Sequence, residues 1–388
     1  MVYPFLDPVE FSSEYKCFLA KVDKIDDPLS YSEAKGKLHW EKDNHTWELV
    51  KLPLGKSAIG SKWVFKTKLH PDGSIDKYKA RLVAKGYNQV EGEDYIDSFS
   101  PVAKTVAVRI VLALASAKQW VLRQIDINNA FLHGFIDEEL VWFYKSIHDN
   151  CLFVYHGGAE FVVVLVYVDD MLLTGTSEQV ITRLKTFLNR KFTIKNLGPA
   201  RYFLGLEIAR SSAGTYVNQR KYTLDLISEV GLMGAKPVTT PIPKGLKLSS
   251  ESGELLEDVS KYQRVVGRLL YLEFTRPDIT YVVHQLSQYV HAPRTVHWNC
   301  AMYVLKYLKG CPSLGLFYPV STGFQPVVYN DADWAASEAE YRSMADAVTE
   351  LMWISFILRD LAVHFQLPVS LHCDNKAALY IAANPVFH

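Results

Sequence analysis

The sequence predicts an α/β fold of the α+β kind, and three observations carry that expectation. The stretch FVVVLVYVDDMLLTG, residues 161–175, sets two apolar, β-rich runs around an adjacent acidic pair, Asp169 and Asp170, which reads as strand, tight turn and strand. The runs SKWVFKTKL and KYKARLVAKGY flank Pro71-Asp72-Gly73, where Pro presets φ and Gly accepts a positive φ, so they read as a second hairpin. Elsewhere apolar residues recur at helical spacing, as Val108, Val111, Leu112 and Ala115 do within residues 106–118.

With 388 residues, 49% of them hydrophobic, the chain has the length for two or three domains and a sizeable core. Lys plus Arg number 42 and so do Asp plus Glu, so any nucleic-acid surface must be a local basic patch. The five cysteines, Cys17, Cys151, Cys300, Cys311 and Cys373, are scattered and form no CxxC. That pattern argues against a disulfide framework or a zinc site and for reduced thiols. The acidic pair interrupts the longest apolar run, and no basic leader precedes a hydrophobic stretch, so the expectation is a soluble, intracellular chain without a membrane span. Asn44-His45-Thr46 fits the glycosylation pattern but lacks a secretory setting.

Residues 1–45 form a lead-in of mixed polarity with a short helical candidate over 31–40. The 61–85 hairpin then carries Lys62, Lys66, Lys68, Lys77, Lys79, Arg81 and Lys85 among Trp63, Phe65, Tyr78 and Leu82. Same-parity positions of a strand share a face. Lys77, Lys79, Arg81 and Lys85 point one way and Lys62, Lys66 and Lys68 share another, giving basic faces suited to phosphates. A solvated face with edge-protecting lysines reads the same way.

The helix over 106–118 should cover a sheet. The strand WVLRQIDI after it ends near Asp126, and a strand end beside the Asp169-Asp170 hairpin would bring three carboxylates together. Adjacent carboxylates on a largely buried hairpin repel and call for a cation, which magnesium supplies in phosphoryl chemistry. An ordinary hairpin with an acidic turn, and Asp126 as a cap or turn residue, are the alternatives. Residues 141–161 look short and uneventful.

A charged helix over 177–191 leads to further alternation of strand and helix up to about residue 232. The Pro- and Ser-rich segment KPVTTPIPKGLKLSSESGELLED reads as a linker or surface loop. Amphipathic helices follow over 262–272, 278–289 and 297–309, with Ile279, Val282, Val283, Leu286 and Val290 forming one inner stripe. Arg276, Arg294, Lys306 and Lys309 are either phosphate contacts or ordinary exposed cations. His284, His291 and His297 lack metal-ligand spacing and read as surface or satisfied core residues.

In the last segment QPVVYNDADWA is a strand ending in acids, SEAEYRSMADAVTELMWISFIL a long helix, and PVSLHCDNKAALYIAAN a strand followed by a helix. Asp331, Glu340 and Asp374 can then face one crevice outside the sheet. Helix caps and dipole partners are the competing reading, which suits Asp374 better than Glu340.

The motifs TWELVKLP, AIGSKWVFKTK, YKARLVAKGYNQ, SFSPVAK, QIDINNAFLHG, VLVYVDDMLLTG, FLGLEI, VGRLLYL, TRPDI, NDADWA, SEAEYRSMA and CDNKAA occur in one order. Over nearly its whole length the chain resembles the reverse transcriptase and ribonuclease H region of copia-type retrotransposon polyproteins, especially those of plants. The resemblance implies a right-hand polymerase of fingers, palm and thumb followed by a ribonuclease H-like domain. It divides the chain into a shortened lead-in over 1–45, fingers and palm over 46–215, thumb and connection helices over 216–322, and a truncated ribonuclease H-like domain over 323–388. It makes Asp126 and Asp169 palm metal ligands with Asp170 completing the set, and Arg81, with Lys66 and Lys79, the holders of the incoming triphosphate. Asp331, Glu340 and Asp374 become metal-binding acids that act on the RNA strand of a hybrid. The implied cofactor is magnesium, as a pair of ions in each active site. The implied partners are an RNA template, a DNA primer, an RNA-DNA hybrid and deoxynucleoside triphosphates, in a cytoplasmic particle or the nucleus.

The departures from the family are specific. A segment with a motif like KSLYGLKQ, which forms the palm helix, is missing where EELVWFYKS passes straight to HDNCLFV. NDADW joins ASEAEYR without the intervening ribonuclease H strands, the chain stops at NPVFH before the family's fourth acid, and the lead-in is shortened between Trp40 and Glu41. Such losses should uncover apolar surface and strand edges. The expectation is a decayed or mis-spliced copy with weak or absent activity, and the alternatives are an inactive nucleic-acid-binding remnant or an unstable relic.

Overall fold

The structure, a computed structural model, describes residues 27–28, 30–34, 60–69, 75–85, 103–127, 143–192, 194–320, 323–330, 337–374 and 376–383. It is a mixed α/β chain whose sheets are antiparallel except for one two-stranded parallel sheet. Two compact units divide it: Met1–Phe99 with Arg220–Pro237 and Leu308–Ser313, and Ser100–Gln219 with Val238–Tyr307 and Leu314–His388.

In the first unit, α1 (Tyr31–Ala34) precedes the hairpin of β1 (Ser61–Leu69) and β2 (Ile75–Ala84). The rest of the helix expected over 31–40 lies outside the described residues. The hairpin register corrects the reading of separate basic faces. Lys66 lies opposite Lys79, Lys68 opposite Lys77 and Val64 opposite Arg81, and Lys85 N–H donates to the Gly60 carbonyl in the same register. Cross-strand partners share a face, so the positions that looked like two basic sets are one. The other face is apolar: Phe65 and Ala34 are buried, with Trp63, Tyr78 and Ala80 packed on them. Asp27 Oδ1 fixes this side by accepting from Thr67 N–H at 2.7 Å and Thr67 Oγ1 at 2.6 Å.

The second unit is built on a six-stranded sheet. Its strands are β3 (Val121–Ile127), β4 (Tyr144–Lys145), β5 (Leu152–Gly157), β6 (Glu160–Tyr167), β7 (Asp170–Gly175) and β8 (Ile194–Pro199), in the order β4-β5-β6-β7-β3-β8. Alternation decides what each face buries. On one face Ile125, Val162, Val164 and Leu173 pack with Val180, Ile181, Leu184 and Leu188 of α3 (Glu178–Lys191), whose first turn is capped by Ser177 accepting from Val180 N–H. On the other, Leu122, Leu152, Val154, Val163, Leu165 and Leu172 pack with α2 (Thr105–Ala117), whose expected stripe Val108, Val111, Leu112 and Ala115 is buried.

Residues 141–161 are not uneventful: they supply β4 and β5, which complete one edge of the sheet. The signal was Gly157-Gly158 between two apolar runs, a hairpin mark, and Gly158 has φ 63°.

A four-stranded sheet, β12-β11-β10-β9, comprises β9 (Tyr202–Phe203), β10 (Leu206–Arg210), β11 (Gly214–Asn218) and β12 (Leu316–Pro319). The helix α4 (Arg220–Glu229) follows in sequence and belongs to the first unit. The segment expected as a linker has no helix and no strand longer than an isolated bridge. The amphipathic helices are α5 (Val259–Leu272), α6 (Thr280–Ser287) and α7 (Thr295–Gly310). Ile279, Val282, Val283 and Leu286 are buried as the stripe predicts. Arg276 is no surface cation: it is 1% exposed and holds Asp278 through two of its nitrogens, Nε and Nη2, at 2.9 and 2.7 Å.

The last segment forms β13 (Val327–Asn330), α8 (Ser337–Asp360), β14 (Ser370–Cys373) and α9 (Lys376–Ala383), with β13 and β14 parallel. Here the expectation of uncovered surface is half corrected. Ile357 and Leu358 of α8, with Leu361 and Val363 just beyond it, join the core on the α2 face of the six-stranded sheet and cover part of it. The small parallel sheet does leave Tyr329 79% exposed.

Candidate active site

The acids of the six-stranded sheet are brought together by register. Asp126 lies opposite Asp170 across the β3–β7 pairing, and the Ile127 N–H donates to the Asp169 carbonyl at 2.8 Å one step further on. Ladder bonds alternate along an antiparallel pair, so Asp126 and Asp170 occupy a non-hydrogen-bonded position, where Cα atoms approach to about 4.5 Å and side chains are closest. Both share parity with Leu122 and Leu172, so they lie on the α2 face of the sheet. Asp126 is 6% exposed, and Gln124, also buried, donates from Nε2 to Asp170 Oδ1 at 3.4 Å.

Asp169 occupies the turn. Tyr167 pairs with Asp170, so the hairpin closes over Val168 and Asp169. Val168 has φ 54° and Asp169 is not among the positive-φ residues. A positive φ at the first loop residue alone marks the type II′ geometry, which glycine suits best. A β-branched residue there is strained by roughly 1–3 kcal/mol. The strain sits directly beside the acidic pair.

The chemistry of the donors fits a hard divalent cation, because carboxylate oxygens are what such ions take. Among the described residues no group of three or more His, Cys, Asp or Glu side chains is placed to hold a metal ion. The register thus brings Asp126 and Asp170 together, with Asp169 next to them in the backbone.

The second set of acids is less fully described. Asp331 lies outside the described residues, and Glu340 lies in α8 with its side chain outside them. Asp374 is exposed immediately after β14. Asn330 and Cys373 are the last registered pair of the parallel strands, so both strands run out at the same end. Ser343, three residues beyond Glu340, donates from Oγ to Asn330 Oδ1 at 2.6 Å, which ties the first turns of α8 to that end.

Of the basic candidates, Lys66 is exposed, and the backbone register puts positions 79 and 81 on its face. Burial, with Asp149 adding to it, pushes the Cys151 thiol up to about 11, and burial pushes Cys300 up to about 11, so neither is a ready nucleophile. His297 is a satisfied core residue, accepting from Arg294 N–H at Nδ1 and facing the Ser249 carbonyl from Nε2 at 3.1 Å. Among the described residues no helix is long and apolar enough to cross a membrane.

A family model described as Reverse transcriptase (RNA-dependent DNA polymerase) matches residues 44–148 and 141–244. The chain is 37% identical to the retrovirus-related Pol polyprotein from transposon RE2 of Arabidopsis thaliana, over 424 residues that take in 89% of this chain and 29% of the polyprotein. It is 30% identical to the corresponding polyprotein from transposon TNT 1-94 of Nicotiana tabacum, covering 89% of this chain and 32% of that one. An uncharacterized mitochondrial protein of Arabidopsis thaliana is 36% identical over 48% of this chain and 78% of its own length. The chain therefore spans less than a third of the length of the polyproteins it matches. No solved structure matches it. An alignment of 424 positions on a chain of 388 residues means that the relative carries internal segments this chain lacks. The two stretches matched by the family model overlap at residues 141–148.

Proposed function

Because this chain belongs to the reverse transcriptase family of plant copia-type retrotransposon polyproteins, we propose that it is the polymerase and ribonuclease H portion of such a polyprotein. Its polymerase acids are Asp126, Asp169 and Asp170. The observation that carries this reading is the cross-strand position of Asp126 and Asp170 beside the strained turn that holds Asp169. A bound pair of magnesium ions would lower the pKa of a primer hydroxyl and neutralise the triphosphate and leaving pyrophosphate. Asp126 and Asp170 would hold that charge on the sheet face, with Asp169 at the turn. Magnesium commonly takes one or two carboxylates and completes its shell with substrate phosphates and water.

The fingers in this reading are the β1–β2 hairpin, where Lys66, Lys79 and Arg81 hold the incoming triphosphate. The palm is the six-stranded sheet, and α5, α6 and α7 supply the thumb and connection. Asp331, Glu340 and Asp374 belong to the ribonuclease H-like segment and would act on the RNA strand of a hybrid. The partners are an RNA template, a DNA primer and deoxynucleoside triphosphates.

The split family match favours a second element of the proposal: this copy binds its nucleic acids and copies them poorly, because the sequence where the two matched stretches overlap carries no motif like the family's KSLYGLKQ. Primer extension on an RNA template with magnesium tests both elements. The expected result is little product together with salt-sensitive binding that survives Asp126→Asn. Robust synthesis abolished by Asp169→Asn overturns the impairment and keeps the site. Robust synthesis untouched by Asp126→Asn and Asp169→Asn overturns the site.

A further inference from the structure

Asp126 has a second cross-strand neighbour. On the side away from Asp170, its partner is Lys195 of β8, so a lysine, an aspartate and an aspartate stand in one row across β8, β3 and β7. This row depends on a bulge. From Arg123 to Gln124 the strands pair as Pro199 and Gly198, and the register then slips by one residue so that Ile125 meets Asn196 and Asp126 meets Lys195. Without the slip Asn196 would stand opposite Asp126. The bulge is written into the sequence Asn196-Leu197-Gly198: Gly198 has φ 74°, open to glycine, and its N–H donates to Asn196 Oδ1 at 3.2 Å. Bulges re-aim a side chain and concentrate beside active sites. This one substitutes a cation for an amide next to a nearly buried carboxylate.

We propose that Lys195 is the built-in counter-cation of the acidic row. It offsets the repulsion between Asp126 and Asp170 while the site holds no metal, and it competes with a divalent ion for Asp126. The inference rests on the polymerase reading of these acids and adds a loading rule to it: the site takes a metal ion weakly alone and well together with a nucleotide, whose phosphates give the displaced ammonium a new partner. Lys195 is thus a positioning residue. The physical ground is that two adjacent, poorly solvated carboxylates are costly unless a positive charge stands next to them.

The test is binding of manganese alone, followed by electron paramagnetic resonance, with thermal unfolding in EDTA alongside. Lys195→Met and Lys195→Gln should tighten manganese binding by roughly tenfold, the order expected for removing one partly screened charge at this range, and should lower the melting temperature in EDTA. Lys195→Arg should restore both values. Manganese affinity unchanged in Lys195→Gln, while Asp126→Asn weakens it, overturns the inference and leaves the acidic site standing. If Asp126→Asn also leaves manganese binding unchanged, the site itself fails and the inference with it.

Discussion

Asp360, the last residue of α8, accepts a hydrogen bond from Ser146 Oγ at 2.5 Å, which ties this long helix to the edge of the six-stranded sheet more than two hundred residues earlier in the chain. His148 Nδ1 approaches the same carboxylate oxygen at 3.0 Å, Tyr144 donates to the Asp360 carbonyl, and Trp353 Nε1 donates to the His148 carbonyl at 2.9 Å. With Ile357 and Leu358 in the core beneath them, these bonds make α8 part of the sheet's own packing.

Asp360→Ala should therefore destabilise the sheet, because it strands the hydroxyl of Ser146 in a partly buried place. A loss of about 1–3 kcal/mol is expected, read as a lower urea midpoint with an unchanged slope. A separate early transition confined to α8, with the sheet unaffected, would show that the helix is an independent piece.

Val168 supplies a second prediction. Val168→Gly should relieve the positive φ and raise stability by about 1 kcal/mol, whereas Val168→Pro, whose ring holds φ near −65°, should lower it sharply. Melting temperatures of the two variants check the sign.

The merged basic face predicts opposite responses in binding and in stability. Lys66 and Lys79 are direct cross-strand partners, and like charges in that position repel. The double variant Lys66→Gln, Lys79→Gln should reduce the salt dependence of single-stranded RNA binding by about 0.7 in slope for each phosphate that is no longer neutralised. Its melting temperature should stay level or rise. A fall in stability with an unchanged salt slope would assign these lysines to the fold alone.

His297 makes stability sensitive to acid. Burial, and then the Arg294 charge, outweigh the Ser249 carbonyl and lower its pKa below 6.5. The folded protein therefore holds the neutral ring, and the unfolded chain takes up the proton first as pH falls. Its contribution is fully present above pH 6.5 and is lost as pH falls from there through the lowered folded value. Urea midpoints between pH 8 and pH 5 should fall more steeply in the wild type than in His297→Asn.

Local pattern carried a great deal of this. The alternation around Trp63 and Phe65, the stripe of α2 and the stripe from Ile279 to Leu286 each point inward as their periodicity requires, since burying an apolar stripe is a matter of spacing within one element. The acidic pair in the central hairpin was legible for the same reason. Arg276 was misplaced because Tyr307, whose ring lies against its guanidinium and whose hydroxyl also binds its partner Asp278, becomes a neighbour only in the folded chain. The strands β4 and β5 were overlooked because strands of two and six residues give little periodicity, although Gly157-Gly158 marked the turn from β5 to β6.

The amino-acid sequence by itself determined which segments pair locally, which residues carry the acids and the cations, and which family the order of motifs belongs to. Tertiary structure alone decided that the lysine positions of β1 and β2 fall on one face by backbone register, that Lys195 rather than Asn196 stands opposite Asp126, and that α8 closes over the sheet. The reason is the two-residue period of a strand: a slip of one residue turns every side chain to the other face. Which register wins is set by turns, bulges and distant packing partners, whose energies are summed only when the whole chain has come together.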